Sequence, residues 1–197
     1  MTDSRDFFAA RAATWDERFP DDGPLYERAV SQSQPQPGEV ALDIGCGTGR
    51  ALPYLRAAVG RRGTVIGLDL TVQMLAEVRA RRRDTTPGGL VLADAARLPV
   101  RTGSCDVLFA AGLLHHLADP AEGLREFARV ARPGGRLALF HPIGRAALAA
   151  RHGMTPDPDD IRGEARIVAA FANTGWRVEL VDDSAERYLA LAVRGSL

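Results

Sequence analysis

Apolar and polar positions along this chain follow two alternating rhythms. Short apolar runs recur at Val40–Ile44, Thr64–Leu70, Leu90–Ala93, Cys105–Ala110 and Arg136–Phe140. Each reads as a buried strand. Between them, apolar residues stand three and four apart, the spacing of one helix face. Ala51, Leu52, Leu55 and Val59 mark a helix over 50–59, and Met74, Leu75 and Val78 one from Val72 to about Arg83. Leu124, Phe127, Ala128 and Ala131 mark a third, which Asp119-Pro120 caps and starts. Ahead of the first strand, residues 4–18 read as one amphipathic helix carrying Phe7, Phe8, Arg11, Ala12 and Trp15. Pro20–Pro24 breaks it, and a second helix is predicted from Leu25 to Gln32. After the fifth strand, helices are predicted at about 143–152 and 163–173, around the Pro/Asp-rich loop Thr155–Asp160. Arg177–Val181 and Arg187–Val193 are close enough to pair as an antiparallel hairpin. Strands alternating with helices predict an α/β fold: a mainly parallel sheet with helices on both faces, closed by that C-terminal hairpin.

Charge and composition narrow the function classes. Asp plus Glu equals Lys plus Arg at 25 each, so no net field draws nucleic acid or an anionic membrane. All the basic residues are Arg, which removes lysine Schiff-base and lysine general-base chemistry. Arg81–Arg83 read as a solvated helix end matched to the helix dipole, not as a nucleic-acid contact. Two cysteines, Cys46 and Cys105, make neither a disulfide framework nor a metal spacing. No apolar run approaches the ~18 residues of a membrane span, and the N-terminal stretch lacks a signal-peptide core. The expectation is a cytoplasmic protein, monomer or homodimer, with no metal, no nucleic acid and no membrane partner.

The stretch Ala41–Arg50, ALDIGCGTGR, carries the chemistry. A strand runs into Gly45-Cys46-Gly47-Thr48-Gly49, and a helix follows. Glycines let a ligand lie against the backbone, and a helix start offers free N–H groups. The dinucleotide fingerprint G-x-G-x-x-G is not met, because Arg50 stands where its third glycine or alanine belongs. With Asp43 two places ahead of Gly45, the stretch resembles motif I of the class I S-adenosylmethionine (SAM)-dependent methyltransferases, (D/E)-x-G-x-G-x-G. Asp43, Gly45, Gly47 and Gly49 fill every fixed position.

Further segments resemble that family in order. Asp69 ends the second strand, 20 residues past Gly49; a carboxylate there can accept both ribose hydroxyls, although Asp also caps helices. Asp94-Ala95 ends the third strand, followed by Ala96-Arg-Leu-Pro99, with Val100 where the family has Phe. Cys105–Leu117 resembles the "D-x-V-x-x-x-x-x-L-H-H-L" segment of small-molecule methyltransferases related to the quinone-biosynthesis C-methyltransferases. Arg129–Leu137 matches "R-x-x-R-P-G-G-x-L", and Trp15-Asp16 looks like the W-D pair of that family's N-terminal lids.

The resemblance, which spans about residues 40–195, implies a doubly wound, Rossmann-like, seven-stranded sheet in the order 3-2-1-4-5-7-6. It implies a helical lid at 1–34 and a SAM-binding domain at 35–197. Gly45, Gly47 and Gly49 would meet the methionine part of SAM, Asp69 the ribose, Asp94 and Ala95 the adenine, and backbone near Ala111 the methionine amine. Asp43, Cys46 and Leu70 are further cofactor-side candidates. Trp15 would face the ligand if it does not merely pack on the sheet. His115 and His116 would flank the transfer site, and His141, at the C-terminal end of the fifth strand, is a further substrate-side candidate. The implied function is methyl transfer from SAM to a small-molecule acceptor, leaving S-adenosylhomocysteine (SAH). A catalytically silent SAM-binding protein is the alternative. An NAD-dependent oxidoreductase is disfavoured by Arg50 and by the lack of a Tyr-x-x-x-Lys pair. RNA methylation lacks an N-P-P-Y-like motif after the fourth strand.

Overall fold

A computed structural model describes residues 2–18, 22–83 and 88–195. The expected break at Pro20 falls outside the described residues. Seven strands form one sheet: β1 Val40–Ile44, β2 Thr64–Asp69, β3 Gly88–Leu92, β4 Cys105–Ala111, β5 Ala131–His141, β6 Trp176–Asp183 and β7 Tyr188–Arg194. Their order is β3-β2-β1-β4-β5-β7-β6. The first five run parallel, while β7 lies antiparallel between β5 and β6. This is the order and the reversed final strand expected.

Successive side chains of a strand point to opposite faces, and here both faces are buried. Leu42, Leu108 and Leu137 face a core shared with Leu124, Phe127, Ile167 and Phe171. Those four come from α5 Pro120–Val130 and, beyond the short α6 Arg145–Arg151, from α7 Glu164–Asn173. Ala41, Val107, Phe109 and Phe140 face the other core, with Ala29, Leu52, Leu55 and Val78. These come from α2 Gly23–Gln32, α3 Leu52–Val59 and α4 Val72–Ala80. Trp176 joins the first core and donates its Nε1–H to Leu124 O at 3.0 Å, which satisfies the buried indole. Asp119 caps α5 as expected, accepting from the amides of Ala121 (2.8 Å) and Glu122 (3.0 Å).

Three expectations need correcting. Residues 4–18 are not one helix: α1 covers Thr2–Ala9, and 3₁₀ turns follow at Ala12–Thr14 and Asp16–Arg18. Tertiary contacts of Asp16, described below, override the helical pattern. The helix over Val72 onwards stops at Ala80, and Arg81 and Arg83 turn back to bind that N-terminal segment. The strand over 136–140 extends back to Ala131, with a register jump from the Cys105–Ala131 pair to Val107–Arg136. Arg132–Gly135 is therefore a bulge within the strand. Arg129 explains the family's arginine there: it reaches Leu98 O, Val100 O and Glu126, tying the loop before β4 to α5.

Candidate functional site

Strand order reverses between β1 and β4, and open α/β sheets bind ligands beyond the carboxyl ends of the strands at such a point. The glycine turn leaves β1 there. Gly45 has φ +67°, and a Cβ on it would stand 2.9 Å from Leu113 Cδ1, just past β4. Gly47 has φ +54°, and a Cβ on it would meet nothing within 4 Å. The turn thus packs closely at its first glycine and is open at its second.

Carboxylates hold this turn. Asp69 Oδ2 accepts from Gly47 N and Oδ1 from Thr71 N, both at 2.8 Å. Cys46 N donates to Leu68 O at 2.8 Å, extending the link to β2. Burial raises the Asp69 pKa, partly offset by those amide bonds. Asp43, 1% exposed, sits beneath the turn, and its Oδ2 has no hydrogen-bond partner. Burial, with the neighbouring Asp69 charge, pushes its pKa up to about 8. Cys46 is buried, which raises its thiol pKa well above the ordinary range.

The rim beside Asp69 is apolar and exposed: Leu70 is 38% and Leu92 52% accessible. Leu92 is the register partner of Asp69. Asp94 Oδ1 accepts from Ala96 N at 2.9 Å, so this carboxylate shapes its own turn beside half-buried Ala95. Ala111 ends β4 opposite Phe140, and Gly112 N donates to Phe140 O at 2.8 Å.

The three candidate histidines converge. The rings of His115 and His116 are 4.1 Å apart, and those of His115 and His141 are 6.2 Å apart. Burial lowers all three pKa values, aided by the positive charge of Arg162. Solvent reaches His115 and His116, which limits how far burial can depress them. His141 is half-buried and falls to about 4. Its Nδ1 lies 2.9 Å from Ile143 O and 3.3 Å from Ile143 N. Assigning the proton to the shorter contact makes Nδ1 the donor and leaves Nε2 as the acceptor. Because the folded protein holds these protons less tightly than the unfolded chain, stability rises with pH through the interval between folded and unfolded pKa values. Ring resonances of all three should titrate below the ~6.5 midpoint of a free imidazole, His141 lowest. A midpoint at or above the free value for His141 would contradict this environment.

The N-terminal segment closes over the turn. Phe8 packs edge-on against Trp15 (5.4 Å) and His116 (5.1 Å). Asp16 Oδ1 accepts from Thr48 Oγ1 at 2.6 Å, inside the glycine turn, and Oδ2 pairs with Arg83 and, at 3.6 Å, Arg81 Nε. Arg50 pairs with Asp22 at 3.2 Å and lies over the Tyr26 ring. The arginine that departs from the dinucleotide pattern therefore anchors α2. Replacing Asp16 with Ala should speed tryptic cleavage after Arg11 and Arg18 roughly five- to tenfold. Unfolding free energy should fall by no more than about 1 kcal/mol, because these pairs are partly solvated. An unchanged cleavage rate would mean that this network does not hold the segment.

Sequence reasoning missed two residues. Arg162 follows the Pro/Asp-rich loop, and Tyr188 begins β7; neither belongs to a motif. They line a small cavity together with His115 and His141. Only the tertiary fold juxtaposes them.

Comparison with known proteins agrees with this geometry. The methyltransferase-domain family matches residues 42–139. The chain is 36% identical over 124 residues to malonyl-[acyl-carrier protein] O-methyltransferase of Marinomonas sp., covering 63% of this chain and 45% of that protein. It is 38% identical over 112 residues to demethylmenaquinone methyltransferase of Shouchella clausii, covering 55% and 47%. The matches thus span under half the length of these relatives. Magnesium protoporphyrin IX methyltransferase of Synechocystis PCC 6803, solved with bound SAH, shares the fold. Its TM-score is 0.75 at 19% identity, over 98% of this chain and 99% of that one. With an intact motif I at the sheet's switch point and the family match running from β1 through β5, the chain belongs to the class I SAM-dependent methyltransferases.

Proposed function

We propose that this chain transfers a methyl group from SAM to a small-molecule acceptor. The observation that carries the reading is the glycine turn: open at Gly47, latched by Asp69, and underlain by the orphaned Asp43 Oδ2. These features fit a ligand with a cationic amino-acid end and a ribose. Gly45, Cys46, Gly47 and Gly49 take the amino-acid part, with Asp43 beneath and the Ala111 backbone beside it. Asp69 takes the ribose hydroxyls with the lone pairs its amide bonds leave. Asp94 and Ala95 take the adenine, against the exposed apolar surface of Leu70 and Leu92.

When bound, SAM supplies a sulfonium methyl group that is already strongly electrophilic. The chain's own task is to align the acceptor for in-line displacement and to exclude water. Such positioning is worth up to ~7–11 kcal/mol. Residues 1–34 would serve as the cap that excludes water, a reading supported by Phe8, which packs on His116 and on Trp15. A proton acceptor is needed only for an acceptor that must lose a proton. His115, His116 and His141 are the groups placed for it, and their lowered pKa values make them neutral but weakly basic.

The test is calorimetric titration of the purified protein with SAH, with NADH as control. Micromolar SAH binding (about 8 kcal/mol) without NADH binding is the expected result. Failure of the folded protein to bind SAH, or a preference for NADH, would overturn the reading.

A further inference from the structure

The two similar methyltransferases are named for unlike acceptors, malonyl-[acyl-carrier protein] and demethylmenaquinone, so selectivity must come from residues outside the shared motifs. We propose that Arg162 and Tyr188 form the acceptor end of the site and bind a carboxylate of the acceptor. This rests on the methyltransferase reading and deepens it.

Tyr188 is 1% exposed and Arg162 is 9% exposed. Tyr188 Oη and Arg162 Nη1 are both buried, and neither has a hydrogen-bond partner. A buried hydroxyl and a buried guanidinium nitrogen left without partners are each costly. Two of them on one cavity mark a place built for something that accepts hydrogen bonds. The cavity itself is about 10 Å³, roughly room for one water. Its walls include Gly112, Leu113 and His115 past β4 and His141 at the end of β5. His141 and Tyr188 are register partners on β5 and β7, so their side chains leave the same face of the sheet. The cavity therefore joins the histidine cluster that the family resemblance puts beside the transferring methyl.

The chemistry selects an anion. Asp160 grips the Nε and Nη2 side of the guanidinium, at 2.7 Å to Nη2, and fixes its plane. That leaves the two N–H donors of Nη1 and the one O–H donor of Tyr188 without a hydrogen-bond partner beside the cavity. A carboxylate offers two oxygens to match a fixed fork of donors. Charged groups around the pair are Arg162, Arg145 and Arg151 against Asp160 and Asp183, a local excess of one positive charge. An ammonium would be repelled, and an alcohol would leave donors unmatched. The carboxylate enters past solvent-exposed His115 and places one oxygen in the small cavity, while the rest of the acceptor displaces Phe8 from His116.

Benzoate, phenylacetate and octanoate, each against its amide, would be titrated with and without saturating SAH. Histidine ring signals of carbon-13-labelled protein and calorimetry report binding. We expect at least one acid to bind about tenfold more tightly than its amide and to shift the His115 and His141 signals. Arg162→Gln should abolish that preference. Tyr188→Phe, the gentler change, should reduce it about threefold, with SAH affinity and fold intact in both variants. Equal binding of acid and amide in every pair, binding of none, or a preference that survives Arg162→Gln would overturn the proposal and leave the cavity as a water site. Loss of SAH binding in the wild type would instead overturn the methyltransferase reading. The acid–amide comparison without SAH still decides the pocket.

Discussion

Asp43→Asn should make the ligand-free protein more stable at pH 8, by about 2 kcal/mol or more. The carboxyl is 1% exposed, one oxygen lacks a partner, and burial beside Asp69 raises its pKa to about 8. An unfolded Asp titrates near ~3.9. Between those values the folded protein holds a proton that the unfolded chain releases. The contribution of this group is therefore complete below the unfolded pKa and is lost as pH rises through about 8. Each tenfold difference in proton affinity between the folded and unfolded chain is worth about 1.4 kcal/mol, which makes this among the largest single titration effects expected in the chain. Asn is nearly isosteric and does not titrate. Urea unfolding at several pH values should show the stability advantage of the variant over the wild type growing from pH 5 to 8, which separates Asp43 from the opposite slope of the histidines. Parallel curves would contradict the raised pKa. SAH should raise the melting temperature of the wild type more than that of the variant, because the orphaned oxygen is then engaged by the ligand. A native protein keeping an unpaired buried carboxyl is a cost in stability that function explains.

The second large effect is at Asp69. Its two oxygens each accept a backbone N–H, from Gly47 and from Thr71. Asp69→Ala removes the proposed ribose acceptor and also releases the glycine turn, so SAH affinity should fall about 100-fold, or ~2.7 kcal/mol. Asp69→Asn keeps one acceptor oxygen and should lose about tenfold. Equal losses in the two variants would mean that the turn geometry contributes nothing, and a loss below about threefold in both would remove Asp69 from the site. Paired calorimetric titrations measure this directly.

Most of the fold is legible in the chain because the apolar runs and helical spacings agree with the turns between them. The run at Val40–Ile44 is buried on both faces, and Asp119-Pro120 starts a helix with the expected cap. Helical spacing alone makes the N-terminal segment a single helix, because spacing cannot see Asp16 meeting Thr48 and Arg83. Arg81 and Arg83 read as solvent-facing charge for the same reason: their partner lies more than 60 residues away in sequence. In the site, the glycines and the strand-end acids follow a local pattern. Arg162 and Tyr188 follow none, since a pocket wall assembled from a loop and the last strand leaves no periodic trace.

Among the described residues, ion pairs of Arg50 with Asp22 and of Arg81 and Arg83 with Asp16 tie the N-terminal segment to the glycine turn and α4. Guanidinium keeps its charge throughout the range in which proteins stay folded. Burial raises the Asp16 pKa, but the hydrogen bonds from Thr48 and Arg83 outweigh it and hold the carboxylate below its ordinary value. The Asp16 part of the latch is therefore complete above the unfolded carboxylate pKa and fails only as the solution becomes strongly acidic. Ionic strength acts differently. The screening length shrinks from about 10 Å at 0.1 M salt to about 3 Å at 1 M, and these pairs are partly open to solvent. Added salt, more than a change of pH within the neutral range, should therefore loosen the contacts of Asp16 with Arg81 and Arg83.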